Sequence, residues 1–258
     1  IRDLSSHIPD INGDSINSES LKKIAAINLS TLPIVSNDTR LGACVGNVGK
    51  FLCIGLNYSD HAAESGLPVP SEPILFSKAT SAIVGPNDNV EIPRNSSETD
   101  WEVELGIIIG KKAKYINEDE ANDYIAGYCV VNDVSERAFQ IKREGQWTKG
   151  KSCDTFGPTG PYLVTKDEIP DVQNLKMYLD VNGKRMQDGS TNTMIFSAKH
   201  IVYYLSQFMS LNPGDVIATG TPPGVGLGMK PPVFLNAGDT MKLGIEGLGE
   251  QNQICIQG

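Results

Sequence analysis

The chain has 258 residues, a formal net charge of −9, 40% hydrophobic and 21% charged residues. That is one ordinary globular domain with room for a core, or one domain with a small appendage. The acidic balance argues against a nucleic-acid partner or an anionic membrane surface and favours a small-molecule substrate. No apolar run approaches the roughly 20 residues of a membrane-spanning helix, and no signal peptide is visible. The five cysteines are odd in number and lack C-x-x-C spacing, a pattern of reduced thiols in a cytoplasmic protein.

Residues 1–48 read as a small N-terminal segment, with a short capped helix at Ser18-Glu19-Ser20 followed by Leu21, Ile24 and Ala25. Positions 36–49 are rich in Asn, Asp, Gly and Thr and read as a linker. The segment is too small for its own core and is expected to pack on the remainder, residues 49–258. Phe51 to Leu56 is a short buried strand. Asn57 to Gly66 follows as a helix of about two turns, capped by Ser59 or Asn57 and ended by Gly66. Strands are predicted from Pro73 to Phe76 and from Asn89 to Ile92, and one continuous strand from Thr99 to Gly110.

A helix over Asn117 to Tyr124 leads to a strand from Ile125 to Asp133. Ser135 to Lys142 makes one or two helical turns, and Gly150 to Gly160 reads as a loop. Asn182-Gly183 between alternating segments predicts a hairpin. Ser197 to Met209 is an amphipathic helix with Ile201, Tyr204, Leu205 and Phe208 on one face. Strands at Asp215 to Thr219, Thr240 to Ile245 and Gln253 to Ile256 close the chain, the first two after the similar turns Pro213-Gly214-Asp215 and Ala237-Gly238-Asp239. Many short strands, many glycines and few helices predict a mostly β, rolled or barrel-like sheet. Gly224-Val-Gly-Leu-Gly228 opens no helix after a strand and is a loop, not a dinucleotide fingerprint.

Within the Thr99–Gly110 stretch, Glu102 and Glu104 are two apart and share a strand face. Two carboxylates beside an apolar run repel unless a cation neutralises them; a solvated acidic face is the plainer alternative. Asp133 ends a strand in a polar tail. His61 and Glu64 are i and i+3 on the short helix, so a carboxylate can orient an imidazole; a surface histidine with an acidic neighbour fits the same spacing. Lys151 is a cation or a solvated lysine, Arg137 a binding group or a partner of a nearby acid, and Thr221 a site hydroxyl or a turn residue. Tyr58 lines a pocket or packs. Cys153 lies near Lys151, which can lower a thiol pKa, or it is a small half-buried residue. Trp101 and Trp147 are packing residues.

Five stretches, G-x-N-Y-x-D-H-x-x-E from Gly55, E-x-E-L-G from Glu102, N-D-V-S-x-R-x-x-Q from Asn132, G-K-S-x-D-T-F-G-P from Gly150 and T-G-T-P-x-G-V-G from Thr219, occur in one order. In this wording and order, over about residues 50–256, the chain resembles the fumarylacetoacetate hydrolase family. The resemblance implies an α+β, mostly β fold with a mixed β-roll catalytic domain, a homodimer, and a divalent metal, Mg²⁺ or Mn²⁺, on Glu102, Glu104 and Asp133. It implies that His61 and Glu64 form the dyad that activates water, that Lys151 meets the substrate, and that Tyr58, Arg137, Gln140 and Thr221 surround it. The segments Cys53 to His61, Lys149 to Pro158 and Gly244 to Gln251 look like the bacterial branch that hydrolyses 2,4-diketo-3-deoxy sugar acids such as the L-rhamnonate and fuconate forms. The family also holds acylpyruvate hydrolases, oxaloacetate decarboxylases and diene-dioate isomerases. A non-catalytic protein that binds metal and a 2-oxo acid is the alternative from another class.

Overall fold

The computed structural model describes residues 1–60 and 68–258. Strands dominate, as predicted. They are β1 (Phe51–Gly55), β2 (Ile74–Lys78), β3 (Ile83–Val84), β4 (Val90–Ile92), β5 (Thr99–Asp100), β6 (Val103–Ile109), β7 (Ile125–Asn132), β8 (Ser135–Glu136), β9 (Gly157–Thr165), β10 (Lys176–Val181), β11 (Lys184–Ser190), β12 (Val216–Ala218), β13 (Thr240–Ile245) and β14 (Gly249–Gln257). Among the described residues the α-helices are short: α1 (Ser18–Ala25), α2 (Arg137–Ile141), α3 (Thr148–Lys151) and α4 (Ala198–Ser206). A curled seven-stranded sheet runs β2-β1-β12-β6-β7-β9-β3, and a five-stranded sheet runs β11-β10-β13-β14-β4. Strands β5 and β8 form a separate antiparallel pair.

The period of two along each strand divides the core. In β1, Leu52 and Ile54 face the main cluster, whereas Phe51 and Cys53 face a second one. In β7, Tyr128 and Val130 alternate in the same way with Cys129 and Val131. The main cluster joins the two sheets through side chains such as Leu105 and Ile107 on one and Leu179 and Leu243 on the other. The second cluster is closed from outside by Ile16 and Val45, both fully buried. Each contributes about 1.5–3 kcal/mol by leaving water. Ile16 and Val45 thus pack against the larger sheet, and a parallel bridge joins Asn12 to Gly46.

Local signals account for several elements. Asn17 caps α1 by accepting from the backbone N–H groups of Glu19 and Ser20, and Ser197 caps α4 at His200. The β10–β11 hairpin turns at Asn182 and Gly183, both with positive φ. The two similar turns are closed alike: Asp215 accepts from the N–H of Asn212, and Asp239 from that of Asn236.

Three readings change. The Thr99–Gly110 strand breaks at Trp101-Glu102, because Thr99 and Asp100 pair with β8 while β6 pairs with β7 and β12. The predicted 150–160 loop is the end of α3 and the start of β9, whose Gly-Pro start hid its strand character. Phe208 lies past the end of α4 and is 63% exposed, so it leaves the apolar face. Asn57, at the start of the predicted short helix, donates its side-chain N–H groups to the carbonyls of Phe196 and Thr219 and accepts from Phe196 N–H. The rest of that predicted helix, from His61 to Gly66, lies outside the described residues.

Candidate active site

Strands β6 and β7 are neighbours, with Val103 opposite Asn132. Glu102, just before β6, Glu104 within it, and Asp133, just after β7, therefore meet at one end of the larger sheet. Each offers a carboxylate oxygen, and the three oxygens lie within 4.8 Å of one another. Glu102 and Glu104 are 6% and 2% exposed and Asp133 is fully buried, which excludes a solvated acidic face.

Charges surround the three. Lys151, at the end of α3, bridges Glu102 Oε2 at 2.7 Å and Asp133 Oδ2 at 2.8 Å. Close approach sets its place: a Cβ on Gly150 would lie 2.4 Å from the Glu136 carbonyl oxygen, so only glycine lets α3 settle against α2. Arg137 donates to Glu102 Oε1 at 2.6 Å, to Asp100 Oδ2 at 2.8 Å and to Gln140 Oε1 at 3.0 Å. Lys78, at the end of β2, donates to Asp133 Oδ1 at 2.5 Å. Glu104 accepts the backbone N–H of Gly220 at 2.8 Å and forms no ion pair among the described residues.

The proton affinities follow from this distribution. Burial works to raise the Glu102 pKa, but Lys151 and Arg137 outweigh it and bring it down to about 2. Burial drives Glu104 the other way, and the charges of Asp133 and Glu102 add to it, so its pKa lies well above the ordinary carboxylate range. Burial opposes the charged forms of Lys151 and Arg137, yet their carboxylate partners win and both are pushed up.

A group of all-oxygen, carboxylate ligands suits a hard divalent cation such as Mg²⁺ or Mn²⁺ and disfavours zinc. Three buried carboxylates converging on one point, one of them without a cationic partner among the described residues, fit such an ion. It would relieve the repulsion that raises the Glu104 pKa.

Glu102 and Glu104 open on a cavity of about 560 Å³, within the range of small-molecule sites. Glu102, Glu104, Arg137, Gln140, Lys151 and Thr221 line one part. Ile54, Leu56, Phe76, Trp147, Val225 and Met229 supply an apolar wall, and the Lys151 ammonium also lies 5.1 Å from the centre of the Phe76 ring.

Of the residues named from sequence, the structure brings together Glu102, Glu104, Asp133, Lys151, Arg137, Gln140 and Thr221. The Thr221 hydroxyl is engaged, donating to the Val103 carbonyl and accepting from Gln187. Tyr58 is packed in the main core, with its hydroxyl on Met177 Sδ, and is not part of the cavity wall. His61 and Glu64 lie outside the described residues. Lys151 faces carboxylates, and burial pushes the Cys153 thiol up to about 11, so the activated-thiol reading is set aside. Trp147 belongs to the cavity wall, whereas Trp101 is buried with its indole N–H on the Gly224 carbonyl.

Sequence reasoning missed Lys78 and Asp100. Asp100 was two residues before Glu102, the same spacing that singled out Glu104. Its carboxylate also accepts the N–H groups of Trp101, Gly226 and Leu227 and so ties the 224–228 loop to the site. Lys78 closes an apolar strand two residues after Phe76, hence on the same face; a lysine in that position signalled a buried partner.

A cavity with convergent buried carboxylates and cations at one end and an apolar wall at the other has the layout of an enzyme's active-site pocket. Comparison with known proteins agrees. Residues 50–254 match the model of the fumarylacetoacetate (FAA) hydrolase C-terminal family. A relative from Burkholderia cenocepacia (strain HI2424), whose name goes no further than a provisional "hydrolase", is 62% identical over 98% of this chain and 90% of its own length. Fumarylacetoacetate hydrolase from Exiguobacterium antarcticum superposes with a TM-score of 0.87 at 36% identity, covering 100% of this chain and 92% of that one. The 2-hydroxyhepta-2,4-diene-1,7-dioate isomerase of Mycobacterium marinum gives 0.75 at 38% identity, covering 88% and 83%. This chain belongs to the fumarylacetoacetate hydrolase family and is an enzyme of it.

Among the described residues, no helix is long and apolar enough to cross a membrane.

Proposed function

We propose that this enzyme is a metal-dependent hydrolase that cleaves the C3–C4 bond of a 2,4-dioxo acid, giving pyruvate and a second carboxylic acid. The observation that carries the reading is the buried Glu102–Glu104–Asp133 triad, flanked by Lys151 and Arg137 at one end of an otherwise apolar cavity. Glu102, Glu104 and Asp133 would hold a Mg²⁺ or Mn²⁺ ion, which would supply Lewis acidity there.

The chain's own groups do the rest. Lys151 and Arg137 meet the carboxylate of the substrate, and Gln140 and Thr221 border it. The apolar wall excludes bulk water and strengthens every charge interaction inside. His61, oriented by Glu64, takes a proton from water. The hydroxide adds to C4, the C3–C4 bond breaks, and its electron pair passes to C3 as the enolate of pyruvate. The Lys151 ammonium stabilises that charge, and His61 returns the proton to C3. The second product is the acid from C4 onward. A small apolar terminus such as the methyl group of 2,4-diketo-3-deoxy-L-rhamnonate suits the wall of Ile54, Leu56 and Val225, and that substrate gives lactate. The enzyme acts as a cytoplasmic homodimer in this reading; light scattering tests the dimer.

Isomerisation of a diene-dioate is the second reading, favoured by the 38% identity to the M. marinum isomerase. Pyruvate release from a panel of 2,4-dioxo acids, with and without EDTA, separates the two. Turnover of a diene-dioate without pyruvate release from any panel member overturns hydrolysis. Full pyruvate release from oxaloacetate by His61→Ala, with no activity on the panel, marks a decarboxylase. Mg²⁺-dependent oxalate binding with no turnover on any substrate marks a non-catalytic binder.

A further inference from the structure

Asp133 is held by two lysines that reach it differently. The Lys78 side chain has no exposed surface. It donates to Asp133 Oδ1 at 2.5 Å and to the Val134 carbonyl at 3.0 Å, and it is not part of the cavity wall. Lys151 lines the cavity and spans Asp133 Oδ2 and Glu102 Oε2. The elements that carry them are tied together, since Ala79 N–H donates to Ser152 Oγ at 2.8 Å. One oxygen of Asp133 is therefore fixed from within the protein, and the other is engaged from the cavity side.

An ammonium group and a divalent cation compete for the same carboxylate oxygens. Lys151 lines the cavity and contacts two of the three triad carboxylates. Lys78 contacts one carboxylate, and its second bond, to a backbone carbonyl, fixes the direction of the first. We propose that the two lysines divide the work: Lys78 is a positioning residue that aims Asp133 into the triad, and Lys151 is an exchangeable internal cation that yields carboxylate oxygens to the incoming ion and is thereby freed to meet the anionic substrate. This rests on the metal reading of the triad.

If charge alone mattered, removing either lysine would tighten cation binding. If packing alone mattered, removing either would weaken it or leave it unchanged. A division of work gives opposite signs.

The test is calorimetric titration of Mn²⁺ into chelator-stripped wild-type protein, Lys78→Met and Lys151→Met. Lys78→Met is expected to weaken binding about 10- to 100-fold, with Lys78→Arg recovering most of the loss. Lys151→Met is expected to tighten binding on the order of tenfold. In chelator it should melt below wild type, yet it should gain more from added Mn²⁺. Shifts of the same sign in both variants, or unchanged affinity in Lys78→Met, overturn the division of roles. Should a methionine variant not fold, Lys78→Gln and Lys151→Gln carry the same comparison, with the same opposite signs expected. A wild-type protein that takes up neither Mn²⁺ nor Mg²⁺ overturns the metal reading and this inference together, whereas same-sign shifts in a wild type that binds overturn only the inference.

Discussion

Gly220 donates its backbone N–H to Glu104 Oε2 from a φ of +98°, a conformation that side-chain-bearing residues rarely adopt. A Cβ at this position would also lie 2.8 Å from Asn57 Cβ. The glycine of the Thr219-Gly220-Thr221 turn is thus the means by which β12 delivers a backbone donor to a buried carboxylate. Gly220→Ala is expected to cost about 1–3 kcal/mol of stability through backbone strain and to weaken metal-dependent activity, because Glu104 loses its fixed partner. Urea unfolding monitored by fluorescence checks the first effect, and the Mg²⁺ concentration for half-maximal activity the second. An alanine variant with unchanged midpoint and unchanged Mg²⁺ demand would contradict both.

Glu104, which has no ion-pair partner among the described residues, also sets a prediction for metal addition. An ion that binds only the folded state stabilises it by about 2.7 kcal/mol at 100 times its dissociation constant. Melting temperature should therefore rise with Mg²⁺ and fall back in EDTA. Glu102→Ala and Glu104→Ala should abolish the rise. Persistence of the full Mg²⁺ shift in either variant would place the ion elsewhere.

Much of this was legible in the amino-acid sequence, for identifiable reasons. Glu102 and Glu104 stood out because i and i+2 share a face, and Asp133 because a carboxylate ended an apolar strand. The β10–β11 hairpin and the α1 and α4 caps follow from local turn and capping chemistry that acts within a few residues. What escaped depended on contacts distant in sequence. Lys78 and Asp133 are 55 residues apart, and Asp100 and Gly226 are 126 apart. The place of Lys78 at the end of an apolar strand pointed to burial, but nothing local names its partner. The break at Trp101-Glu102 was hidden for the same reason: Thr99 and Asp100 pair with a strand more than 30 residues away, and pairing partners, not propensity, decide where a strand stops.

The opposed proton affinities of the two glutamates give the metal-free protein a specific response to pH. Glu102 titrates at about 2 in the folded state against an ordinary value of 4.5. A depressed folded pKa adds stability above the unfolded value, and that stability is lost as pH falls from about 4.5 toward 2. Glu104 is raised, so the sign reverses. Its contribution is intact below 4.5 and is lost as pH climbs from there through its elevated folded pKa. In EDTA, melting temperature should decline on both sides of the mildly acidic range. Because metal ligation requires the Glu104 carboxylate, Mg²⁺ affinity should increase with pH, and saturating Mg²⁺ should remove the decline on the alkaline side. Differential scanning calorimetry across pH in EDTA and in Mg²⁺ measures both. A Glu104→Gln protein that still shows the alkaline-side decline in EDTA would assign it to another group.

Arg137 stands between two buried carboxylates, Asp100 and Glu102, and is itself 5% exposed. Removing one partner of a buried ion pair leaves an uncompensated charge, which costs about 3–5 kcal/mol. Arg137→Ala leaves Asp100 without its ion-pair partner and Glu102 with Lys151 alone. The expected result is destabilisation within that range and loss of activity. Arg137→Lys keeps the charge but lacks the planar fork that reaches Asp100, Glu102 and Gln140 at once. It should recover part of the stability and little of the turnover. The Asp100→Asn, Arg137→Ala double variant should be less unstable than the sum of the two single changes, by about 0.5 kcal/mol or more, since the pair is in direct contact. Additive costs in that cycle, measured by chemical denaturation in Mg²⁺, would show that Arg137 acts on Glu102 alone.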